Sequence, residues 1–151
     1  MGQRLANLIF CYDWYAPSAT EDFQAKLAQS IALQAKCLAL DWQRLIDQTA
    51  QLTALKGLFI AQAALGAKTE NLEALLELTL PLIEQVTQAD GGHKSRMPDI
   101  HLKLMRDLIE IRNTASSTDI ESTAQLDKKI VQMAALCRMW RHADGQFARF
   151  N

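Results

Sequence analysis

Two similar polar turns carry the side chains best suited to chemistry. One reads QADGGHKSRMP over residues 88–98, and the other reads RHADGQFARFN over residues 141–151. Each turn combines an Asp-Gly pair with a histidine and an arginine, namely His93 with Arg96 and His142 with Arg149, and Arg141 lies close by. Guanidinium groups offer parallel donors to a carboxylate or sulfate, and histidine changes its charge near neutral pH. The two turns therefore predict a surface that binds anions locally.

Neighbouring residues add further donors to the first turn. Lys94 supplies a second cation and Ser95 supplies a hydroxyl group. Gly91 and Gly92 allow the backbone to approach a ligand closely, and the N-terminus of a helix starting near Pro98 favours an anion. In the simpler alternative, these glycines only terminate a helix and His93 only hydrogen-bonds to a backbone carbonyl.

The elements that position both turns are predicted to be helices. Apolar residues recur at steps of three or four along the chain, for example at Phe23, Leu27 and Ile31, and no segment has a convincing strand pattern. Between the two Asp-Gly pairs there is room for one helix over 98–111 and a returning helix over 119–141. We therefore predict an all-α fold of six or seven helices in antiparallel hairpins, with both turns at the same end and residues 1–151 in one domain.

Helix boundaries follow from capping residues and helix breakers. Thr20 and Thr69 each precede an acidic residue and predict helix starts, whereas Gly66 predicts a helix end. Pro98 suits the first turn of a helix, and a capping box of Thr118 with Glu121 predicts the start of the last one. Pro81 is expected to kink or divide the helix that contains it.

Composition excludes several classes of protein. The formal net charge of −1 excludes a broad basic surface for nucleic acid, and no stretch reaches the ~20 apolar residues that would span a bilayer. The short apolar run after Arg4 is interrupted by Asp13, so we expect no signal peptide in this chain. The chain as given is expected to be cytoplasmic, while a periplasmic location stays open for a parent protein. These features predict neither a nucleic-acid partner nor a membrane partner.

Cysteine and histidine spacing does not predict a metal site. Cys11, Cys37 and Cys137 are far apart and have apolar neighbours, so buried free thiols are expected. His93, His101 and His142 lack ligand spacing, and His101 is expected at the surface or half-buried. No cofactor is expected. Trp42 and Trp140 are expected in the core, and Trp14 is the most plausible exposed aromatic platform.

The run ADGGHKSRMPDIHLKLMRDLIEIR resembles a segment of bacterial heparinase II/III-like proteins, and MAALCRMWRHADGQFARFN resembles a second segment of the same family. The opening GQRLANLIF is also similar to a helix upstream in those proteins. One departure is Ala143, where the family usually has glycine. The resemblance implies the later part of an α/α toroid, hence an incomplete toroid, with the β domain of the family missing.

The resemblance also implies a function for the parent protein, which is eliminative cleavage of an acidic, uronate-containing polysaccharide. By position, His93, Arg96 and His142 would be its catalytic residues, and Lys94, Ser95 and Arg149 would contact the substrate. The family's catalytic tyrosine has no counterpart: the tyrosines are Tyr12 and Tyr15, far upstream in the sequence, and Phe147 and Phe150 occupy the corresponding stretch. The isolated chain is therefore expected to be inactive.

A second hypothesis assigns the chain to another class. It treats the chain as a noncatalytic helical scaffold or protein-interaction module that shares the helical packing and lacks the chemistry. Part of a toroid would expose apolar faces that neighbouring hairpins normally cover, and such patches usually mark an interface. Because the chain is interpreted as part of a toroid, the isolated chain is expected to self-associate through this exposed apolar edge.

Overall fold

The computed structural model describes residues 1–118, 120 and 123–146. These residues form the helices α1 (Gly2–Phe10), α2 (Tyr12–Tyr15), α3 (Glu21–Asp41), α4 (Gln48–Ala64), α5 (Thr69–Val86), α6 (Pro98–Ser116) and α7 (Ala124–Met139). Two short 3₁₀ helices, Ala16–Ser18 and Trp42–Arg44, flank α3. The described residues contain no β-strand, and an isolated bridge joins Thr87 to His93. The predicted all-α fold of helical hairpins is confirmed; its completion as a toroid stays a prediction.

Helix α4 lies at the centre of the fold. Its residues 52–61 are buried without interruption, as expected for a helix that is apolar on all sides. Helices α1, α3, α5 and α6 pack against it, and α7 packs against α6. Because α4 contacts four neighbours, its side chains determine how the other helices are positioned.

The crossing of α1 and α4 brings two glycines into backbone contact. A Cβ atom at Gly57 would lie 2.5 Å from the Cα atom of Gly2, and a Cβ atom at Gly2 would lie 2.8 Å from the Cα atom of Ala54. Cβ atoms in proteins do not approach other atoms so closely, so each position excludes any larger residue. The pair therefore sets the distance between the two helices.

Three predicted helix boundaries are confirmed. The Thr20 side chain accepts a hydrogen bond from the Phe23 N–H at the start of α3. Gly66 follows the end of α4 in the left-handed region, with φ of 74°. Pro98 is the first residue of α6, where the missing N–H of proline costs no helical hydrogen bond.

A fourth predicted boundary, the helix start at Thr69, is also confirmed, because Thr69 is the first helical residue of α5; Lys68 and not Thr69 occupies the capping position. The capping box predicted for the start of the last helix was wrong. The Thr118 hydroxyl donates back to the carbonyls of Thr114 and Ala115, so it ends α6 and does not start α7. Glu121, its proposed partner, lies outside the described residues. Helix α5 continues through Pro81, so the helix is not divided there; a kink at Pro81, the other expected outcome, stays a prediction.

Burial corrects the expectations for cysteine. Cys137 is buried, but Cys11 and Cys37 are exposed, because the described helices do not cover them. Trp14 is 87% exposed, as expected, although it lies in α2 and not in a loop. Among the described helices, none combines the length and the apolar character needed to cross a bilayer.

Apolar side chains are exposed on several helices. Helix α3 buries only Ile31, Ala35 and Leu38. The large apolar side chains exposed on and just after it are Phe23, Leu33, Leu40, Leu45 and Ile46. Leu33 and Leu40 are seven positions apart and so share one face of the helix. We call these exposed apolar residues, Leu33 and Leu40 on α3 and Ile46 shortly after it, the α3 surface.

Candidate functional site

The two Asp-Gly turns have the same backbone structure. In the first turn, the Gln88 N–H donates to the Gly92 carbonyl at 2.8 Å and the Gly91 N–H donates to the Gln88 carbonyl at 2.9 Å. The second turn repeats both bonds, from the His142 N–H to the Gln146 carbonyl at 2.7 Å and from the Gly145 N–H to the His142 carbonyl at 2.9 Å. The sequence similarity therefore reflects one turn structure used twice.

Aspartate and glycine have the same roles in both turns. Asp90 Oδ1 accepts the N–H of Gly92, and Asp144 Oδ1 accepts the N–H of Gln146, each at 2.9 Å. The glycine after each aspartate has a positive φ, 83° at Gly91 and 82° at Gly145, a region that L side chains occupy only at a cost. The Asp-Gly pair is thus required by the turn itself.

The turns lie near each other along α7. The first turn packs beside the second half of α7, because a Cβ atom at Gly91 would contact Gln132 and one at Gly92 would contact Leu136. The second turn follows directly after α7 ends. Both turns therefore lie towards the same end of that helix, as the hairpin arrangement predicts.

His93 is buried, and both of its ring nitrogens are hydrogen-bonded. Its Nδ1 accepts the Ser95 N–H at 3.0 Å and lies 2.8 Å from the Ser95 hydroxyl, while its Nε2 lies 3.1 Å from the Thr49 hydroxyl of α4. Because a backbone N–H can only donate, Nδ1 must be unprotonated, and the ring is neutral. Burial lowers the pKa of His93; the neighbouring ring of His101 lowers it further, and the Asp47 carboxylate partly opposes both.

His101 is fully buried, which corrects the expectation of a surface or half-buried residue. Its Nδ1 accepts the His93 N–H at 3.3 Å, and its Nε2 donates to the Met133 carbonyl of α7 at 3.0 Å. The half-buried Trp140 ring stands edge-on at 4.8 Å between centroids. Burial lowers the pKa of His101, and the Met133 carbonyl and Asp90 partly oppose this. Helix periodicity could not show that α7 covers this residue.

Arg96 is held within the first turn. Its guanidinium donates to Asp90 Oδ2 at 2.6 Å and to the side chain of Gln88. The Arg96 guanidinium, and then the Gly92 N–H, lower the pKa of the Asp90 carboxyl. Arg96 also has φ of 57°, which is unusual for a residue other than glycine. The ion pair to Asp90 helps to hold this backbone conformation.

The remaining predicted site residues do not all lie beside His93. Ser95 lies beside His93, and its Oγ also accepts the Met97 N–H at 3.2 Å. Lys94 is exposed and donates its backbone N–H to the Val86 carbonyl. His142 is exposed in the second turn. Arg149, with Phe147 and Phe150, lies outside the described residues. The structure thus groups His93, Ser95 and Arg96, and places His142 in a separate turn.

The polar groups of His93 and Arg96 are hydrogen-bonded to other groups of the protein. Both His93 nitrogens and the Arg96 guanidinium already have partners within the protein. Histidine, cysteine and carboxylate side chains do not gather into a possible metal site anywhere in residues 1–118, 120 and 123–146. The catalytic and substrate-binding assignments of these residues stay predictions.

The structure also contains a buried charged cluster that the sequence patterns did not predict. Lys56 of α4 is 0% exposed, and its Nζ donates to Asp107 Oδ1 of α6 and to Gln3 Oε1 of α1, each at 2.6 Å. Thr53 donates to the second Asp107 oxygen at 2.8 Å, and Glu110 Oε2 lies 2.8 Å from Nζ. A signal was present, since Lys56 stands in the apolar run LTALKGLFIA, where a buried charge requires a partner.

The two turns allow a matched test of packing. Alanine at Gly91 or Gly145 should cost about 1–2 kcal/mol for the left-handed backbone. Gly91→Ala should cost about 1–3 kcal/mol more, because its Cβ atom would lie 2.8 Å from Gln132 Cβ, whereas the nearest atom to a Cβ at Gly145 is 3.5 Å away. Urea denaturation followed by circular dichroism measures both. Equal losses would show that the first turn does not pack tightly on α7.

Comparison with known proteins gives a different relative from the one predicted. The chain is similar to "FtsZ-localized protein C" of Caulobacter vibrioides (strain NA1000 / CB15N), with 24% identity over 151 residues, which are 99% of this chain and 26% of that protein. The chain thus spans about a quarter of the length of this relative. No family model matches the chain, and no solved structure matches it.

These findings correct the prediction made from the two motifs. The assignment to heparinase II/III-like proteins was wrong, and with it the polysaccharide-lyase function and the acidic polysaccharide as partner. The physical reason is visible in the turns, where aspartate and glycine make the same backbone hydrogen bonds twice. A motif required by a turn can recur without shared chemistry. The chain is similar to a protein named for its localization with FtsZ, and the noncatalytic alternative is the better supported hypothesis.

Proposed function

We propose that residues 1–151 act as one noncatalytic helical interaction module that binds a protein partner where FtsZ assembles during bacterial cell division. The observation that carries this proposal is the similarity to an FtsZ-localized protein over 99% of the chain. Helical hairpins suit such a role, because they present whole helix faces to a partner without needing a catalytic pocket.

The α3 surface supports the proposal. Leu40 is 70% exposed and Ile46 is 100% exposed, and large apolar side chains clustered at a surface are typical of protein interfaces. The charged side chains around it pair along the same segment, Lys26 with Asp22 and Arg44 with Asp41. Apolar side chains accompanied by charged groups are found in protein–protein interfaces, where the charged groups lie at the rim.

Sedimentation with purified FtsZ tests this proposal. The protein is mixed with FtsZ polymers formed with GTP, and the pellet is compared with one from unpolymerised FtsZ. We expect the chain to sediment with the polymers, and we expect a fluorescent fusion to lie at the division site. The Leu40→Lys variant should bind at least about tenfold more weakly, which corresponds to about 1.4 kcal/mol.

Val131→Lys is the matched control. Val131 is 65% exposed on α7, so lysine there changes charge and polarity equally but leaves the α3 surface intact. Binding by this variant should equal that of the unmodified protein. A chain that stays in the supernatant and a diffuse fusion would together contradict the proposed function. Equal losses in both variants would contradict only the assignment of the α3 surface.

A further inference from the structure

Two buried histidines join four parts of the fold. His93 in the first turn contacts Thr49 of α4, and His101 of α6 contacts both the His93 backbone and the Met133 carbonyl of α7. Ser95 completes the arrangement by donating to His93. We call these five residues the histidine clasp. The clasp connects α4, α6, α7 and the first turn through hydrogen bonds to imidazole nitrogens.

The hydrogen bonds of the clasp require neutral rings. Nδ1 of His93 faces the Ser95 N–H, and Nδ1 of His101 faces the His93 N–H. A proton added to either Nδ1 atom would point at an N–H group that has no lone pair to accept it. Protonation would therefore replace a hydrogen bond by a contact between two donors and would place a positive charge in a buried position.

We propose that the histidine clasp is an acid-sensitive latch, closed when His93 and His101 are neutral and opened when either ring takes up a proton. Opening would detach the first turn from α7 and uncover the last turns of α7 around Met133 and Trp140. The central helix α4 would stay folded, because its core contacts with α1, α3 and α5 do not involve the clasp. This inference goes beyond the proposed function and does not depend on it.

Charged side chains from several elements lie near the clasp. Asp47 at the start of α4 faces His93, while Asp90 in the first turn faces His101 and is itself paired with Arg96. Lys129 of α7 donates to the Thr87 hydroxyl at the end of α5 and forms an ion pair with Glu84. Thr87 in turn forms an isolated β-bridge with His93. Two carboxylates raise the histidine pKa values in part, but burial lowers both, and burial has the larger effect.

The sign of the pH dependence follows from these directions. The closed state binds a proton less readily than the open state, in which both rings have an ordinary pKa of about 6.5. The closed form is therefore fully favoured above about pH 6.5 and loses its advantage as the pH falls towards the lowered pKa values. Each histidine can increase the open population by at most about tenfold per pH unit in that range.

Nuclear magnetic resonance of the histidine rings tests the latch. The chain has three histidines, of which the exposed His142 lies outside the clasp. We expect the rings of His93 and His101 to titrate below the ordinary histidine pKa of about 6.5. Amide exchange of residues around Met133 and Trp140 should accelerate over the same range, while exchange in α4 residues such as Leu55 should not.

Variants separate the latch from general acid sensitivity. His101→Gln can still accept through its Oε1 atom and donate through its amide N–H, but it cannot be charged. It should lose most of the acid-dependent exchange, whereas His142→Gln should keep all of it. The latch is overturned by clasp rings that titrate at or above about pH 6.5, by acid-dependent exchange that His101→Gln leaves unchanged, or by α4 exchanging as fast as α7. If His101→Gln does not fold at pH 8, the ring titration and exchange of the unmodified protein decide.

Discussion

Replacing Lys56 with methionine is expected to lower the free energy of unfolding by about 3–5 kcal/mol. The substitution keeps the aliphatic volume of the side chain but leaves the Asp107 carboxylate buried and without its cation, since Asp107 is 2% exposed at its side chain. Thr53 and water cannot replace a charge partner in this position. Urea denaturation followed by circular dichroism at neutral pH measures the loss.

A double variant distinguishes charge pairing from volume. Lys56→Met with Asp107→Leu removes both charges, so the double variant should recover most of the stability that Lys56→Met loses. Lys26→Met is the surface control, because its partner Asp22 is largely exposed, and it should cost no more than about 1 kcal/mol. A double variant that is less stable than Lys56→Met would contradict this view of the cluster.

The second large effect is expected at the crossing of α1 and α4. Gly57→Ala should destabilise the protein by about 3 kcal/mol, although alanine in a helix interior normally stabilises by about 1 kcal/mol relative to glycine. The substitution is expected to destabilise here because the new Cβ atom would lie 2.5 Å from the Cα atom of Gly2. Thermal and urea unfolding of Gly57→Ala and of the unmodified protein measure the difference.

Gly66→Ala provides the comparison for this substitution. Gly66 has φ of 74°, and no other atom lies within 4 Å of the position that a Cβ atom would occupy there. Alanine at this position should therefore cost only the backbone strain of about 1–2 kcal/mol. A Gly57→Ala variant more stable than the unmodified protein would show that α1 and α4 can separate at little cost.

Local structure was largely predictable from the sequence. The helical periodicity, the Thr20 cap, the Gly66 stop and the Pro98 start depend on residues within one or two turns of each other. The similarity of the two Asp-Gly turns was also visible in the sequence, because each turn is closed by its own residues. Function was not predictable in this way, since the same turn motifs gave a family assignment that comparison with known proteins overturned.

The sequence by itself determined the all-α class, most helix boundaries and the repeated turn, because these depend on hydrogen bonds and steric limits between near neighbours. Only the tertiary structure decided that Lys56 meets Asp107, that α7 covers His101 and that Gly2 meets Gly57. These contacts join residues that are far apart in the chain. Helix periodicity indicates which face of a helix is apolar, but the partner that covers each face is selected by the packing of all the helices together.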